Sequence, residues 1–141
     1  MDTSQEYIDM CEKATEIQNL FQALEGDWYL CRCTDIKGYP HGYGLTILSC
    51  GDPDIKSELL IKSPTDVWLP RQDQLQNLRV KTEEGANFQD RTWSLLGDLI
   101  NFMNEYETEE NIYWSFEQWW LSFIMKTRFN KIWIGNDWKN E

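Results

Sequence analysis

Ser115-Phe116-Glu117-Gln118-Trp119-Trp120-Leu121-Ser122-Phe123-Ile124-Met125-Lys126 decides how the rest of the chain must be arranged. Ser115 followed three residues later by Gln118 is a capping box. The hydroxyl accepts from an early helical N–H, and the glutamine side chain reaches back to the cap's own N–H. A helix therefore opens at Ser115. Phe116, Trp119, Trp120, Phe123 and Ile124 form one stripe at helical spacing, and Leu121 and Met125 widen it. A helix that is apolar over most of its circumference belongs in the middle of a core. The other segments have to cover it.

Downstream, Lys131 to Trp138 reads as a short extended or turn-like tail. Upstream, Trp93, Leu96, Leu99, Ile100, Met103 and Tyr106 fall on one face of a helix spanning about Gln89 to Glu107. At the other end of the chain, Tyr7, Met10, Cys11, Ala14, Ile17, Phe21 and Leu24 recur every three or four residues. They predict a helix from Ser4 to Glu25, closed by Gly26. Between these helices the period changes. Trp28–Thr34, Leu45–Cys50 and Glu58–Lys62 read as strands, separated by turn-rich stretches at Gly38–Gly44 and Gly51–Asp54. Such short connections suit an antiparallel meander. Leu69 precedes Pro70 and is pushed towards an extended conformation. Pro70 suits a first helical position, opening a short helix that faces the core with Leu75 and Leu78. The expected fold is thus α+β, with about four helices packed on a small three-stranded antiparallel meander, in a single domain of residues 1–141.

The composition agrees with a folded domain. Of 141 residues, 41% are apolar and 26% charged, and a chain of this length buries roughly two thirds of its unfolded surface. With 13 basic and 24 acidic residues the net charge is −11. That disfavours a protein that binds nucleic acid by neutralising phosphates. The charge is uneven: residues 1–30 carry −6 and residues 83–117 carry −8, against +1 and +2 for the intervening and final stretches. The polar, acidic start Met1–Glu6 does not read as a signal peptide, and no apolar run approaches the ~18 residues of a membrane span. The expected compartment is a cytoplasm, with thiols reduced.

Several groups of residues have the types that chemistry needs. Cys31, Cys33, His41 and Cys50 could supply three thiolates and an imidazole to zinc. Their C-x-C spacing is shorter than a zinc knuckle's, and cysteines also serve as small buried apolar groups. His41 is the sole histidine and sits among glycines, with no nucleophile signature around any cysteine. Glu105, Glu107, Glu109 and Glu110 form a charge run of the kind that usually faces solvent. No phosphate-cradling glycine motif is complete. No catalytic residue, metal or cofactor is assigned. Eight tryptophans stand out; Trp93, Trp119 and Trp120 sit on helical stripes and are expected in the core. Trp68, Trp114, Trp133 and Trp138 lie at element ends, where exposed rings would make a binding surface. The best polar candidate is the helix start beside Trp68, where Arg71, Gln72, Asp73 and Gln74 cluster near free N–H groups. Its blander reading is an Arg71–Asp73 pair at an ordinary helix start. The candidate binding residues are therefore Trp68, Arg71, Gln72, Asp73, Gln74 and Trp138.

Trp68–Gln76, Phe116–Lys126, Ile132-Trp133 and the first helix at Tyr7–Ala14 together resemble small uncharacterised proteins encoded by phages and prophages of Gram-positive bacteria. The resemblance does not extend over Asp27–Lys62. It implies a bacterial cytoplasm and a mobile genetic element, and no catalytic residue carries over. The function expected from these readings is a non-catalytic, protein-binding accessory domain whose partner is a host or phage protein. Neither direct nucleic-acid binding nor a membrane is expected. The alternatives are an acidic mimic of nucleic acid that blocks a host nuclease or repressor, and an enzyme of unassigned class.

Overall fold

The computed structural model describes residues 1–20, 27–31, 44–47, 67–80 and 88–141. Within them the chain forms α1 (Gln5–Lys13), α2 (Thr15–Gln18), β1 (Trp28–Cys31), β2 (Gly44–Ile47), β3 (Val67–Leu69), α3 (Gln72–Val80), α4 (Phe88–Tyr106), α5 (Phe116–Phe129), β4 (Lys131–Trp133) and β5 (Trp138–Asn140). The architecture is α+β, as the sequence predicts.

The capping box at Ser115 is present. Its Oγ accepts from Gln118 N–H at 3.1 Å, and Gln118 Oε1 accepts from Ser115 N–H at 2.7 Å. Gln118 to Met125 are all buried, so α5 presents no face to solvent over two turns. It packs against α1, α3, α4 and β4. Leu121, Ile124 and Met125 are fully buried, each contributing about 1.5–3 kcal/mol by leaving water. Asn130 ends α5 in the left-handed conformation (φ 54°), which asparagine tolerates better than most residues. The chain then turns back as the β4–β5 hairpin, with Gly135 at φ 87° in its turn. The tail expected at Lys131–Trp138 is this hairpin.

Two expectations change on α1 and α4. The first helix is not continuous from Ser4: at Ala14 ψ is 66°, and α2 starts afresh. The carbonyls just before the break have other work. Met10 O accepts from Trp138 Nε1 at 2.9 Å, and Cys11 O accepts from Gln18 Nε2 at 3.0 Å. Tertiary partners thus take carbonyls that a continuous helix would bond only along its own axis. The closing Gly26 lies outside the described residues. On α4 the buried line is Leu95, Leu99 and Phe102, while Leu96, Met103 and Tyr106 are partly buried beside it. Trp93, expected in the core, is 68% exposed, and Ile100 is exposed with it. Both lie roughly 140° round the helix from the buried line. Apolar residues cover more than half of α4, so periodicity admits two stripes. Packing against Trp119 and Phe123 selects the one bearing Phe102, whose ring lies 6.2 and 5.5 Å from theirs.

The main sheet is antiparallel, with β1 between β2 and β3. Trp28 pairs with Ile47 on one side and Leu69 on the other. The third strand described is therefore Val67–Leu69, added to β1 rather than to β2. The segment read as the third meander strand, Glu58–Lys62, lies outside the described residues. Strand β3 follows from the extended bias before Pro70. Gln18 covers its edge: the side-chain amide donates to Trp68 O and accepts from Trp68 N–H, both at 2.9 Å. One side chain thereby does what a further strand would do at that position. Helix α1 sits between β3 and α5 and ties them together. Tyr7, fully buried, donates its hydroxyl to Pro70 O, and Gln118 Nε2 lies 3.9 Å from Met10 Sδ.

The hairpin is fastened to α1 and α2. Lys13 Nζ donates to Asn136 O, and Lys131 pairs with Glu16 at 2.5 Å. Burial alone would push the Glu16 carboxyl up. The hydrogen bond and charge of Lys131, with backbone and Thr15 hydrogen bonds, outweigh it and hold the carboxyl below its ordinary value. Two predictions follow from these contacts. Gln18→Ala removes the hydrogen bonds to Cys11 O, Trp68 O and Trp68 N–H and should lower stability by roughly 2 kcal/mol, read as a lower urea midpoint at unchanged slope. The depressed Glu16 carboxyl contributes stability that is complete above the unfolded value near 4.5 and is lost as pH falls through the lower folded value. The urea midpoint of wild type should therefore exceed that of Glu16→Gln at pH 7, and the gap should close as pH drops below that point.

Candidate functional site

The predicted cluster at the start of α3 is used internally. The helix opens at Arg71, whose carbonyl takes Leu75 N–H at 3.0 Å. Pro70 therefore precedes the helix instead of starting it, and its carbonyl is held by Tyr7. Gln74 folds back so that its Oε1 accepts from Arg71 N–H at 2.9 Å, occupying one of the free donors on which the expected site depended. Arg71 grips Asp73 through Nε at 3.1 Å and Nη2 at 3.3 Å, the pairing of the blander reading. Arg71 and Gln74 also converge on the buried Asp27, with Arg71 Nη1 3.7 Å from its carboxylate and Gln74 Nε2 donating to it. Gln72 is half-buried in the first turn. Trp68 and Trp138, expected as exposed rings, are 5% and 6% exposed. Trp68 lies in β3, and the Trp138 ring meets that of Trp133 across the hairpin at 5.1 Å, tilted by 59°. Leu75 and Leu78 do pack on the core.

Cys33, His41 and Cys50 lie outside the described residues, and Cys31 is placed only by its backbone, opposite Gly44. Cys11 is fully buried, and desolvation pushes its thiol well above the ordinary value. It is therefore a protonated core group and no nucleophile. Burial raises the Tyr7 hydroxyl in the same way. The carboxylates Glu105, Glu107, Glu109 and Glu110 are exposed, as a solvated run should be.

A different place has the shape of a site. A cavity of about 350 Å³ lies where α1, the α4–α5 connection, α5 and the β4–β5 hairpin meet. Trp119 and Ser122 of α5 line it, facing Tyr106 at the end of α4, Trp114 of the connection, Trp133 of the hairpin, and Glu6 of α1. Glu110 adds a second carboxylate, and none of the lining residues is basic. The volume falls in the range of clefts that hold one small group.

The geometry of this cavity is fixed by sequence features of each wall. Trp114 stands just before the capping residue Ser115, so the capping box sets where its ring goes. That ring meets Trp119 edge-on at 5.1 Å, and its Nε1 donates to Glu6 Oε1 at 3.1 Å. Buried Asn111 shapes the connection. Its Oδ1 accepts from Thr108 N–H at 2.7 Å, and its Nδ2 donates to Tyr106 O at 2.9 Å. Tyr106 stacks on Phe102 at 4.7 Å and donates to Glu141 at 3.3 Å. Trp133 is held against Trp138, and its buried Nε1 has no hydrogen-bond partner among the described residues. The two flanking loops also carry apolar side chains into solvent: Ile112 is 54% and Tyr113 92% exposed on the connection, and Ile134 is exposed in the hairpin turn.

Sequence reading singled out Trp114 and Trp133 as undetermined rings at element ends. It does not group them, because the walls come from four segments that run from Glu6 to Gly135, almost the whole chain. The nearest local signal was the Asn111–Ser115 stretch before the cap. Comparison with protein-family models, with curated proteins and with solved structures returns no match.

If Asn111 sets the cavity wall, Asn111→Ala should cost roughly 1–2 kcal/mol. Cleavage by a nonspecific protease within residues 107–113 should also accelerate. A wild-type cleavage rate would mean the connection is held by other contacts.

Proposed function

We propose that the protein is a non-catalytic binding domain that engages a partner protein at the mouth of the aromatic cavity. The observation that carries this reading is the placement of Ile112, Tyr113 and Ile134. These exposed apolar side chains stand on the two loops that wall a concave, aromatic-lined site. Exposed apolar groups beside a pocket are what a partner's anchor residues bury. The sealed, protonated state of Cys11 also favours binding over nucleophilic chemistry in this part of the molecule. The resemblance on Trp68–Gln76 and Phe116–Lys126 supplies the setting, a phage or prophage protein acting on a host or phage partner in a bacterial cytoplasm. Among the described residues no helix is long and apolar enough to cross a membrane.

The exposed series Glu105, Glu107, Glu109 and Glu110 favours a second reading, an acidic mimic of nucleic acid. Salt separates the two, because exposed charges are screened within about 8–10 Å at moderate ionic strength and apolar contacts are not. Tagged protein is used to capture partners from Gram-positive host lysate, with low-salt and high-salt washes and mass spectrometry. The partner should survive the high-salt wash. It should be lost when Ile112, Tyr113 and Ile134 are all changed to serine, with circular dichroism and thermal midpoint unaltered. A nucleic-acid enzyme released by salt, and unaffected by the serine changes, would establish the mimic instead.

A further inference from the structure

We infer that the cavity is a receptor for an organic cation, the ammonium or guanidinium head of a lysine or arginine side chain on the partner protein. This rests on the binding reading above and names the chemistry of its central contact. Four aromatic rings, those of Tyr106, Trp114, Trp119 and Trp133, line the space together with the carboxylates of Glu6 and Glu110. Aromatic faces carry negative charge density and attract alkylammonium and guanidinium groups, most strongly where water is excluded. The same rings accept the apolar stem of such a side chain, which neutral polar ligands lack.

The surrounding charges agree. Two of these rings already draw lysines of the protein itself: Lys126 Nζ lies 5.7 Å from the Tyr106 centroid and Lys13 Nζ 5.6 Å from that of Trp133. Neither lysine lines the cavity. Lys126 is paired with Glu141, and Lys13 donates to Asn136 O. Glu6 is oriented by the Trp114 indole through Oε1, which directs a fixed carboxylate to the cavity without consuming its charge. A carboxylate ligand would meet two like charges and no cation on the walls. A neutral ligand would gain nothing from the charge of the two carboxylates.

The test is a titration of the full chain followed by the indole N–H signals in nitrogen–proton NMR. The probes are Nα-acetyl-lysine methylamide, Nα-acetyl-arginine methylamide, the neutral Nα-acetyl-norleucine methylamide, and butylammonium. The two cationic amino-acid probes should shift the Trp114, Trp119 and Trp133 signals saturably, at least tenfold more tightly than norleucine. Glu6→Gln and Glu110→Gln should each weaken them roughly three- to fivefold, the scale of a partly exposed charge pair. Glu110 is exposed, so its variant keeps the test readable if Glu6→Gln disturbs Trp114. Norleucine binding as tightly as lysine, or no saturable shift with either cation, overturns the inference. Butylammonium binding more tightly than both cationic amino-acid probes would assign the site to a free amine and overturn the side-chain source. If the cations fail while serine changes at Ile112, Tyr113 and Ile134 still abolish capture, the cation site falls and the partner reading stands. If the cations bind while capture is indifferent to those changes, it is the partner reading that falls.

Discussion

Eight consecutive buried residues on α5 leave that helix without a solvent face, so each neighbouring element has to provide it with a partner. This demand organises the molecule. Helices α1, α3 and α4 and strand β4 meet it from different sides. The aromatic contacts show how closely the demand is met. Trp119 receives Trp114 and Phe102, Trp120 receives Phe116 and Phe123, and all four pairs meet edge to face. Such geometries add about 0.5–1.5 kcal/mol per pair beyond burial alone. Helix α4 is turned to bring Phe102 and Leu99 inward, and Trp93 and Ile100 are left outside as a consequence.

Enclosing a helix so completely leaves backbone groups of its neighbours to be satisfied without water. The chain solves this with side chains from distant positions. Gln18 serves both edge groups of Trp68, fifty residues away, and Tyr7 serves Pro70. The Trp138 indole serves Met10 across almost the whole chain. Each of these ties two elements whose contact is otherwise apolar and non-directional, and so fixes their register. The break at Ala14 belongs to the same solution. Two carbonyls there, both also bonded by Ala14 N–H, take a further bond from Trp138 and from Gln18, and the helix restarts just after them.

What could be read in the sequence follows from range. The α5 cap, its all-round burial and the extended residue before Pro70 are set by neighbours within about four positions, and each reappears in the structure. The extent of α4 was legible and its orientation was not, because apolar residues on more than half its surface offer two stripes and only a partner helix chooses between them. The expected site at Arg71–Gln74 was locally plausible, but its donors and charges are taken up by Gln74 itself, by Asp73, and by Asp27 from another segment. The cavity was invisible for the complementary reason. Each of its rings sits at the end of an element, where local period says nothing about burial, and their convergence depends on how the hairpin lies on α1.

The charge pattern gains a spatial meaning from this arrangement. The two acidic stretches, residues 1–30 and 83–117, are far apart along the chain. They meet at the cavity, the first through Glu6 and the second through Glu110 and the connection around Asn111. The last stretch is net basic, yet its lysines nearest this region are engaged by carboxylates, Lys126 by Glu141 and Lys131 by Glu16. Those two lysines are paired with carboxylates of the protein, Lys13 beside Trp133 is held by the Asn136 carbonyl, and the cavity wall itself carries only negative charge. Carboxylates placed at a concave surface with low-dielectric aromatic walls act on an approaching cation more strongly than the same charges spread over a convex one. The α5 packing therefore brings Trp119 to a margin where aromatic rings and carboxylates from both acidic segments share one wall, and this juxtaposition is what the proposed cation recognition rests on.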